Sequence, residues 1–334
     1  MAPLDPALQL AHAVAGALAD GRALSSADLF ALGAEAWGGT LAEGALSPRD
    51  AYDAAELGLH LHLLATVGAL PAEPGATADA LAGVEALTAL LPSQTRRTVD
   101  QNEYQQFSTP AAYAGACAWA AGVGPGTRVL EPSAGTGALC TFAVAAGAPI
   151  HANELCDRRA GLLAALLAEA GRDPALALTR ENADHLDAVL PPAVRADVVL
   201  MNPPFSQTAG RMGRARVVTV GTDHVLEALK RLDAGGRLVA VLSGGVERRK
   251  RSYKPFFEAV DRAPFRLAAD VEVGGGVYRP YGTSVRTRAL VVDREPGDGS
   301  ARNSGPVRAR VEAVAETVAE AVAALAPVRG AGAP

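Results

Sequence analysis

Apolar residues follow two different spacings along the chain. Up to residue 92 they recur every three or four positions, as in Leu57, Leu61 and Leu64, which is the spacing of amphipathic helices. From residue 127 short apolar runs alternate with helical stretches, a pattern typical of parallel strands joined by crossover helices. The sequence therefore predicts an N-terminal helical module over residues 1–92 and an α/β domain after it.

Seven apolar runs in the second part predict the strands of one sheet. Helical segments separate the first five, so these are expected to be parallel, and the last two are expected to pair as a hairpin. We predict a doubly wound, Rossmann-like α/β fold with a mostly parallel seven-stranded sheet and ligands at the carboxyl ends of its strands. The runs cover residues 128–131, 150–153, 176–179, 197–201, 237–242, 266–273 and 286–293.

Polar stretches and one more helical pattern set the remaining boundaries. Val311, Val314 and Val318 fall at helical spacing near the end of the chain, which predicts a C-terminal amphipathic helix. The predicted segments are a linker or surface arm (93–106), the α/β domain (107–293), a second linker (294–306), the amphipathic helix (307–326) and a disordered tail (327–334).

Composition narrows the class of protein. The chain has 334 residues, of which 49% are hydrophobic and 20% charged, and its net charge is −5. The chain has enough apolar residues for a hydrophobic core. Because its net charge is negative, the protein as a whole does not attract a polyanion, and we expect any nucleic-acid contacts to come from local basic patches. The sequence has no apolar run of membrane length and no signal-peptide pattern. The three cysteines have no metal-ligand spacing, so we expect no metal and a cytoplasmic protein with reduced thiols.

A glycine-rich turn, Glu-Pro-Ser-Ala-Gly-Thr-Gly at 131–137, joins the first predicted strand to a helix. Glycine lets a ligand approach the backbone closely. The spacing matches neither phosphate-binding glycine motif, and the acid at the strand end suits a cationic or hydroxyl-bearing ligand. S-adenosylmethionine (SAM) has an amino group, a sulfonium and ribose hydroxyls. We therefore expect Glu131, Ser133, Gly135 and Gly137 to bind SAM.

The fourth predicted strand ends in Asn202, Pro203, Pro204 and Phe205. The two prolines fix an extended backbone and remove two donors. Their carbonyls and the Asn202 side-chain oxygen can accept hydrogen bonds from an exocyclic amine, and Phe205 offers a face for stacking a planar base. We expect these four residues to be catalytic, with Asn202 also close to the cofactor.

Two acids after later strands are candidates for the adenosine part of SAM. Glu154 follows the second strand, and its carboxylate can accept hydrogen bonds from both ribose hydroxyls. The alternative is that Glu154 is an exposed residue of a turn. Asp184 follows the third strand and can accept from the adenine amine. Asn182 is a second candidate for contact with the adenine amine. The remaining alternative is that Asp184 only caps the next helix.

Four motifs together resemble the adenine-specific amino-methyltransferases of DNA: Phe-Ser-Thr-Pro at 107–110, the glycine turn, Asn-Glu at 153–154, and Met-Asn-Pro-Pro-Phe at 201–205. The resemblance implies the SAM-dependent methyltransferase fold, SAM as cofactor and transfer of a methyl group to adenine N6 in DNA. It also implies that Phe107, Thr109 and Pro110 lie over the cofactor, although Thr109 can instead cap the helix that begins at Pro110. The alternatives are an RNA base amine, a protein glutamine, or a non-catalytic subunit that binds SAM or nucleic acid.

A closer likeness, over residues 25 to 293, is to the methylase-like N-terminal region of bacterial strawberry notch-type proteins. Three stretches carry this likeness. They are Thr-Arg-Arg ahead of Gln-Gln-Phe-Ser-Thr-Pro, Gly-Arg-Met after the Asn-Pro-Pro-Phe-Ser stretch, and the late Tyr-Gly-Thr-Ser-Val-Arg-Thr-Arg. In those proteins a helicase domain follows. The likeness therefore implies nucleic acid as substrate, DNA ahead of RNA, and a separate helicase or specificity subunit as a partner.

Three loops are candidates for contacts with the target. The basic loops 210–216 and 247–254 are predicted to lie near the site, where they can hold phosphates; solvated charged surface is the alternative. Residues 274–283 contain Tyr278 and Tyr281, which can stack on a base or belong to a long connection.

Overall fold

The computed structural model describes residues 5–94, 108–205, 207–209, 215–296 and 310–329. Among these residues, no helix is both long and apolar enough to cross a membrane. The N-terminal part is helical, as its apolar spacing predicts: α1 (Pro6–Ala19), α2 (Ser26–Trp37), α3 (Pro48–Thr66) and α4 (Pro74–Ala89).

Strands and helices alternate in the rest of the described chain. Its first half contains α5 (Ala111–Ala121), β1 (Val129–Glu131), α6 (Ala138–Ala145), β2 (Ile150–Asn153), α7 (Asp157–Glu169), α8 (Pro174–Ala177), β3 (Leu178–Thr179), α9 (Leu186–Val189) and β4 (Ala196–Met201). Its second half contains β5 (Gln207–Ala209), β6 (Ala215–Val217), α10 (Val220–Leu229), β7 (Leu232–Ser243), α11 (Lys254–Val260), β8 (Phe265–Val273), β9 (Thr287–Arg294), β10 (Val311–Ala315) and α12 (Val318–Arg329).

Within the described ranges, the main sheet has eight strands in the order β10-β8-β9-β7-β4-β1-β2-β3. Neighbouring strands are parallel except β9, which runs antiparallel to both β7 and β8. The predicted hairpin-like pair is thus confirmed. Chain order reverses between β1 and β4, and in open α/β sheets such a switch point, at the carboxyl ends of the strands, is where ligands bind.

One strand lies where a helix was expected. The predicted C-terminal helix begins at Val318, and Val311–Ala315 instead forms β10, paired in parallel with β8 at the edge of the sheet. Val314 is 63% exposed, so it does not share the buried face of Val318. Valines three apart fit a helix, but β-branched residues also suit a strand, and pairing with β8 decides the outcome.

Side chains cap the starts of the N-terminal helices. Ser25 and Ser47 each close a capping box at the start of α2 and α3. Thr77 does not cap the fourth helix, α4. The N-cap is Glu73, whose carboxylate accepts from two backbone amides, while the buried Thr77 hydroxyl donates to the carbonyl of Pro71.

The glycine-rich connection after β8 is part of the core. Gly275–Tyr281 forms a 3-10 helix. Tyr278 is fully buried and packs edge-on against Tyr113, with 6.3 Å between ring centroids. The Tyr281 hydroxyl accepts a hydrogen bond from the Ala111 amide at the start of α5. The hypothesis that Tyr278 stacks on a base is therefore wrong, and its ring belongs to the core.

The helical module packs on the helices that cover one face of the sheet. One hydrophobic cluster joins residues of α1 to α7 and α12 with one face of the strands, and a second fills the opposite face under α10 and α11. In particular α3 lies against α6 and α7, the two helices that follow β1 and β2. Side chains of α3 therefore come close to the carboxyl ends of these strands.

Candidate active site

Side chains from several segments surround one cleft at the carboxyl ends of β1, β2 and β4, which we call the central cleft. It brings together eight of the predicted site residues with others that the sequence reasoning missed. Its lining consists of Ser108, Thr109, Glu131, Ser133, Ala134, Gly135, Thr136, Ala138, Glu154, Arg159, Asn202, Pro203 and Pro204.

Glu131 ends β1 and is buried at the floor of this cleft. Its Oε2 accepts a hydrogen bond from the Cys140 thiol at 2.7 Å. Burial raises the pKa of the Glu131 carboxyl to about 8, because a charged carboxylate loses its hydration there. A cation beside it would favour the charged form, so the residue suits a positively charged ligand group.

The two glycines of the turn have different roles. Gly135 lines the central cleft with a φ of +58°. Gly137 does not line it; with a φ of +100° it is the N-cap of α6, and a Cβ there would lie 2.5 Å from Cδ2 of Leu166. Close packing against α7 therefore explains Gly137 without any ligand.

Glu154 is buried, so the alternative of an exposed turn residue is wrong. Its Oε2 accepts from the Gly135 amide at 2.7 Å and its Oε1 from the Cys156 amide at 2.8 Å. These bonds hold the carboxylate against the glycine turn. Each oxygen has two acceptor positions, so the residue can accept ligand hydroxyls as well.

The Asn202 amide is tied to the segment upstream of α5. Its Nδ2 donates to Oγ1 of Thr109 at 2.9 Å. Thr109 is therefore not the helix cap that the sequence allows: the N-cap of α5 is Pro110, which has no side-chain cap bond. Thr109 lines the central cleft and Pro110 is buried outside its lining, while Phe107 lies outside the described residues.

The tetrapeptide after β4 is only partly in the cleft. Pro203 and Pro204 line it beside Asn202. The Phe205 side chain is 7% exposed and does not belong to the lining. Stacking on a base would therefore require the Phe205 ring to change position.

Asp184 lies outside the lining and pairs with a histidine. Its Oδ1 is 2.7 Å from Nε2 of His224, and hydrogen bonding with His224 lowers the pKa of the Asp184 carboxyl. Asn182 is the N-cap of the 3-10 turn Ala183–His185, since its Oδ1 accepts from the Asp184 amide. The interpretation of Asp184 as a cap is thus wrong, and neither residue borders the cleft.

Sequence reasoning missed a polar stripe on α3. Asp53, Glu56 and His60 occupy positions i, i+3 and i+7 of this helix, so they share one face. All three are buried, in a helix that is buried from Ala51 to Leu61. A stripe of ionisable residues on such a helix is a signal that the sequence contained.

Glu56 joins three segments around the central cleft. Its Oε2 accepts from Oγ of Ser108 at 2.7 Å and from Oγ1 of Thr136 at 2.8 Å, and its Oε1 accepts from Nε2 of Gln94 at 2.6 Å. The carboxylate thus links the helical module to the glycine turn and to the segment that carries Thr109.

The His60 side chain binds the backbone of the same glycine turn. Its Nδ1 lies 3.1 Å from the carbonyl oxygen of Thr136, which can only accept, so Nδ1 carries the hydrogen. Burial lowers the pKa of the His60 imidazole to about 4. The ring is therefore neutral at physiological pH and acts as a structural donor.

The basic loop 247–254 carries its own counter-charges. Glu247 pairs with Arg249 and with Lys250, Arg248 pairs with Asp261, and Lys254 lies 3.7 Å from Glu258. These cations are less available for phosphates than the sequence suggests, although exposed ion pairs contribute little to stability. Residues 210–214 of the other basic loop lie outside the described part.

Among the described residues there is no group of three or more histidine, cysteine, aspartate or glutamate side chains arranged to hold a metal ion. The candidate chemistry of the cleft therefore consists of carboxylates, amides, hydroxyls and one guanidinium.

Comparison with known proteins identifies the fold. No family model and no curated protein matches the sequence. A class I SAM-dependent methyltransferase of Listeria monocytogenes superposes with a TM-score of 0.55 at 11% identity, over 97% of each chain. The methyltransferase subunit of a Streptococcus thermophilus type I restriction-modification system gives 0.50 at 17% identity, over 95% of this chain and 73% of that one.

A modification subunit of a type I restriction enzyme from Vibrio vulnificus gives a TM-score of 0.48 at 19% identity, over 74% of this chain; the match spans 58% of that subunit's length. At such identities likeness concerns the fold. The chain has the Rossmann-like α/β fold of class I SAM-dependent methyltransferases, and the main sheet of its described part has one strand more than the sequence predicts.

Proposed function

We propose that this protein is a SAM-dependent methyltransferase that acts on the exocyclic amine of a base, adenine N6 in DNA. One observation carries the proposal: Asn202 and its two prolines share a single cleft with the buried acids Glu131 and Glu154, at the switch point of the fold. The same cleft supplies acceptors for a cationic, hydroxyl-bearing cofactor and for the amine that it would alkylate.

The order of the strands gives the cleft a direction. Strands β2, β1 and β4 lie side by side, so the cleft runs from Glu154 past Glu131 to Asn202. The chemistry of these residues fits SAM: Glu154 would accept the ribose hydroxyls and Glu131 the amino group. Ser133 and Gly135 would line its path, with Thr109 at the Asn202 end.

When bound, SAM supplies the methyl group, and the protein prepares the amine. The bond from Asn202 Nδ2 to Thr109 fixes the side-chain amide, which directs Oδ1 away from Thr109. A carbonyl oxygen has two acceptor positions, so Oδ1 and the Pro203 carbonyl can both accept from the amine. These bonds would turn the lone pair of the nitrogen toward the methyl group and stabilise its developing positive charge.

DNA is the substrate that the available likenesses favour. The Streptococcus thermophilus protein is a type I restriction-modification subunit, and the motif order resembles that of DNA amino-methyltransferases. The likeness to strawberry notch-type proteins supports a separate helicase or specificity subunit as partner. We also propose that residues 1–92 and 107–293 are the helical and catalytic modules, joined through Glu56.

The test is methyl transfer from labelled SAM to duplex DNA, single-stranded DNA and RNA, followed by digestion to nucleosides. Label in methylated deoxyadenosine from DNA is the expected result. Label in RNA would replace the substrate assignment. SAM binding without transfer to any of these substrates would instead favour the non-catalytic subunit.

A further inference from the structure

A buried arginine on α7 faces the central cleft without a matching acceptor. The Arg159 side chain is 7% exposed and lines the cleft near Glu154 and Gly135. Among the described residues, its Nε has no hydrogen-bond partner, and the nearest acid oxygen, Oδ2 of Asp53, is 3.9 Å away. Such a separation is too long for a hydrogen bond.

Another buried arginine, Arg237, has an acceptor for each of its three nitrogens. Arg237 is 1% exposed, and its Nε and Nη2 donate to the two oxygens of Asp293 at 2.7 and 3.2 Å, while Nη1 donates to the Ala120 carbonyl. Buried guanidinium groups normally need such acceptors. Arg159 has the burial without these bonds, and a ligand in the cleft is the group that can supply acceptors.

Charge around Arg159 selects the kind of acceptor. Asp53, Glu56 and Glu154 all act on the guanidinium electrostatically. A ligand carboxylate placed against Arg159 would face these three acids as well. A hydroxyl is neutral, and it both donates and accepts a hydrogen bond, so it can donate to Glu154 while it accepts from Arg159.

We propose that Arg159 is a cofactor-binding residue that forms, with Glu154, a site for the vicinal diol of the SAM ribose. This inference rests on the proposed function. Arg159 and Glu154 occupy the β2 side of the cleft. Asn202, beside which the methyl group would be transferred, lies at the opposite side. Nη1 of Arg159 lies 4.0 Å from the position that a Gly135 Cβ would take, so the terminal nitrogens reach the turn over which the ribose would lie.

The neighbouring arginine provides a matched control. Nη1 of Arg158 contacts the same Oδ2 of Asp53 at 2.5 Å, but Arg158 belongs to the lining of a different cavity. Arg158→Met therefore removes a partner of Asp53 and leaves the central cleft intact. Arg159→Met removes the donors in the cleft at nearly constant side-chain length.

The experiment is calorimetric titration of the full chain with S-adenosylhomocysteine, adenosine and 2′,3′-dideoxyadenosine, with thermal unfolding as a check on folding. Arg159→Met should weaken binding of the first two ligands by roughly tenfold to a hundredfold, the effect of a hydrogen bond to a charged group. It should leave dideoxyadenosine nearly unchanged. Arg158→Met should keep wild-type affinities, and Arg159→Lys serves if the methionine variant does not fold.

Two results would overturn the inference alone. One is equal affinity of the Arg159 variant and the wild type for S-adenosylhomocysteine. The other is a loss for S-adenosylhomocysteine with adenosine unaffected, which would assign Arg159 to the amino-acid carboxylate. Failure of the wild type to bind any of the three ligands would overturn the proposed function and this inference with it.

Discussion

The Asn202 amide and the Thr109 hydroxyl form a 2.9 Å hydrogen bond between segments 93 positions apart in the chain. An amide rotates freely about its last torsion unless its two ends are held differently. Thr109 holds the nitrogen end, so the oxygen end has one defined direction. The segment upstream of α5 thereby controls the group that would meet the target amine.

Replacement of Thr109 by valine tests this control. The valine side chain has nearly the same shape but cannot accept from Asn202 Nδ2. The loss of one hydrogen bond, about 0.5–1.5 kcal/mol, should slow methyl transfer by roughly twofold to tenfold in single-turnover assays. Thr109→Ser keeps the hydroxyl and should keep the wild-type rate. A wild-type rate for the valine variant would show that Thr109 does not orient Asn202.

Glu56 should matter for both stability and cofactor affinity. Glu56→Gln replaces one acceptor oxygen by a donor, which leaves part of the Gln94, Ser108 and Thr136 set unpaired. The free energy of unfolding in urea should fall by about 1–3 kcal/mol, with weaker binding of S-adenosylhomocysteine. The exposed Glu35→Gln on α2 is the control. Unchanged stability of the Glu56 variant would refute this role.

Glu131 predicts a specific pH dependence of stability. Burial raises its pKa from 4.5 to about 8, so between these values the folded state holds a proton that the unfolded chain has lost. The free energy of unfolding should therefore fall as the pH rises from about 4.5 to 8. Glu131→Gln should remove this part of the dependence. The measurement is urea unfolding of the wild type and Glu131→Gln between pH 4.5 and 8. Identical slopes of unfolding free energy against pH for the two proteins would contradict the raised pKa of Glu131.

The glycines of the turn should respond differently to alanine. At Gly137 a Cβ would lie 2.5 Å from Leu166, and φ is +100°, so Gly137→Ala should destabilise the fold by more than the roughly 1–2 kcal/mol of a left-handed residue. At Gly135, φ is +58° and only Arg159 comes within 4.0 Å, so Gly135→Ala should chiefly reduce ligand binding. Urea unfolding and titration with S-adenosylhomocysteine separate the two effects. A greater loss of stability at Gly135 would reverse the assignment.

The sequence identified the sheet because its strands are short apolar runs bounded by turn residues. All seven predicted strands are present, although the third begins at Leu178, after the helical turn Pro174–Ala177. β10 was missed because Val311 and Val314 fit the spacing of a helix. Only pairing with β8, a contact between residues distant in the chain, distinguishes the two structures.

The residues of the candidate site could be predicted from the sequence where they lie at or just after the end of a strand. Glu131, Glu154 and Asn202 each end or follow one of the neighbouring strands β1, β2 and β4, and they meet in the central cleft. Glu56 and Arg159 lie on helices, and their relation to the cleft depends on how α3 and α7 pack. Local sequence does not encode that packing.

The most direct test compares the wild type with Asn202→Ala in methyl transfer and in cofactor binding. The wild type should place label from SAM on adenine in duplex DNA. The variant should lose transfer by roughly a hundredfold or more, as when one group that stabilises developing charge is removed, yet bind S-adenosylhomocysteine with nearly wild-type affinity. Transfer by Asn202→Ala at the wild-type rate would contradict the account.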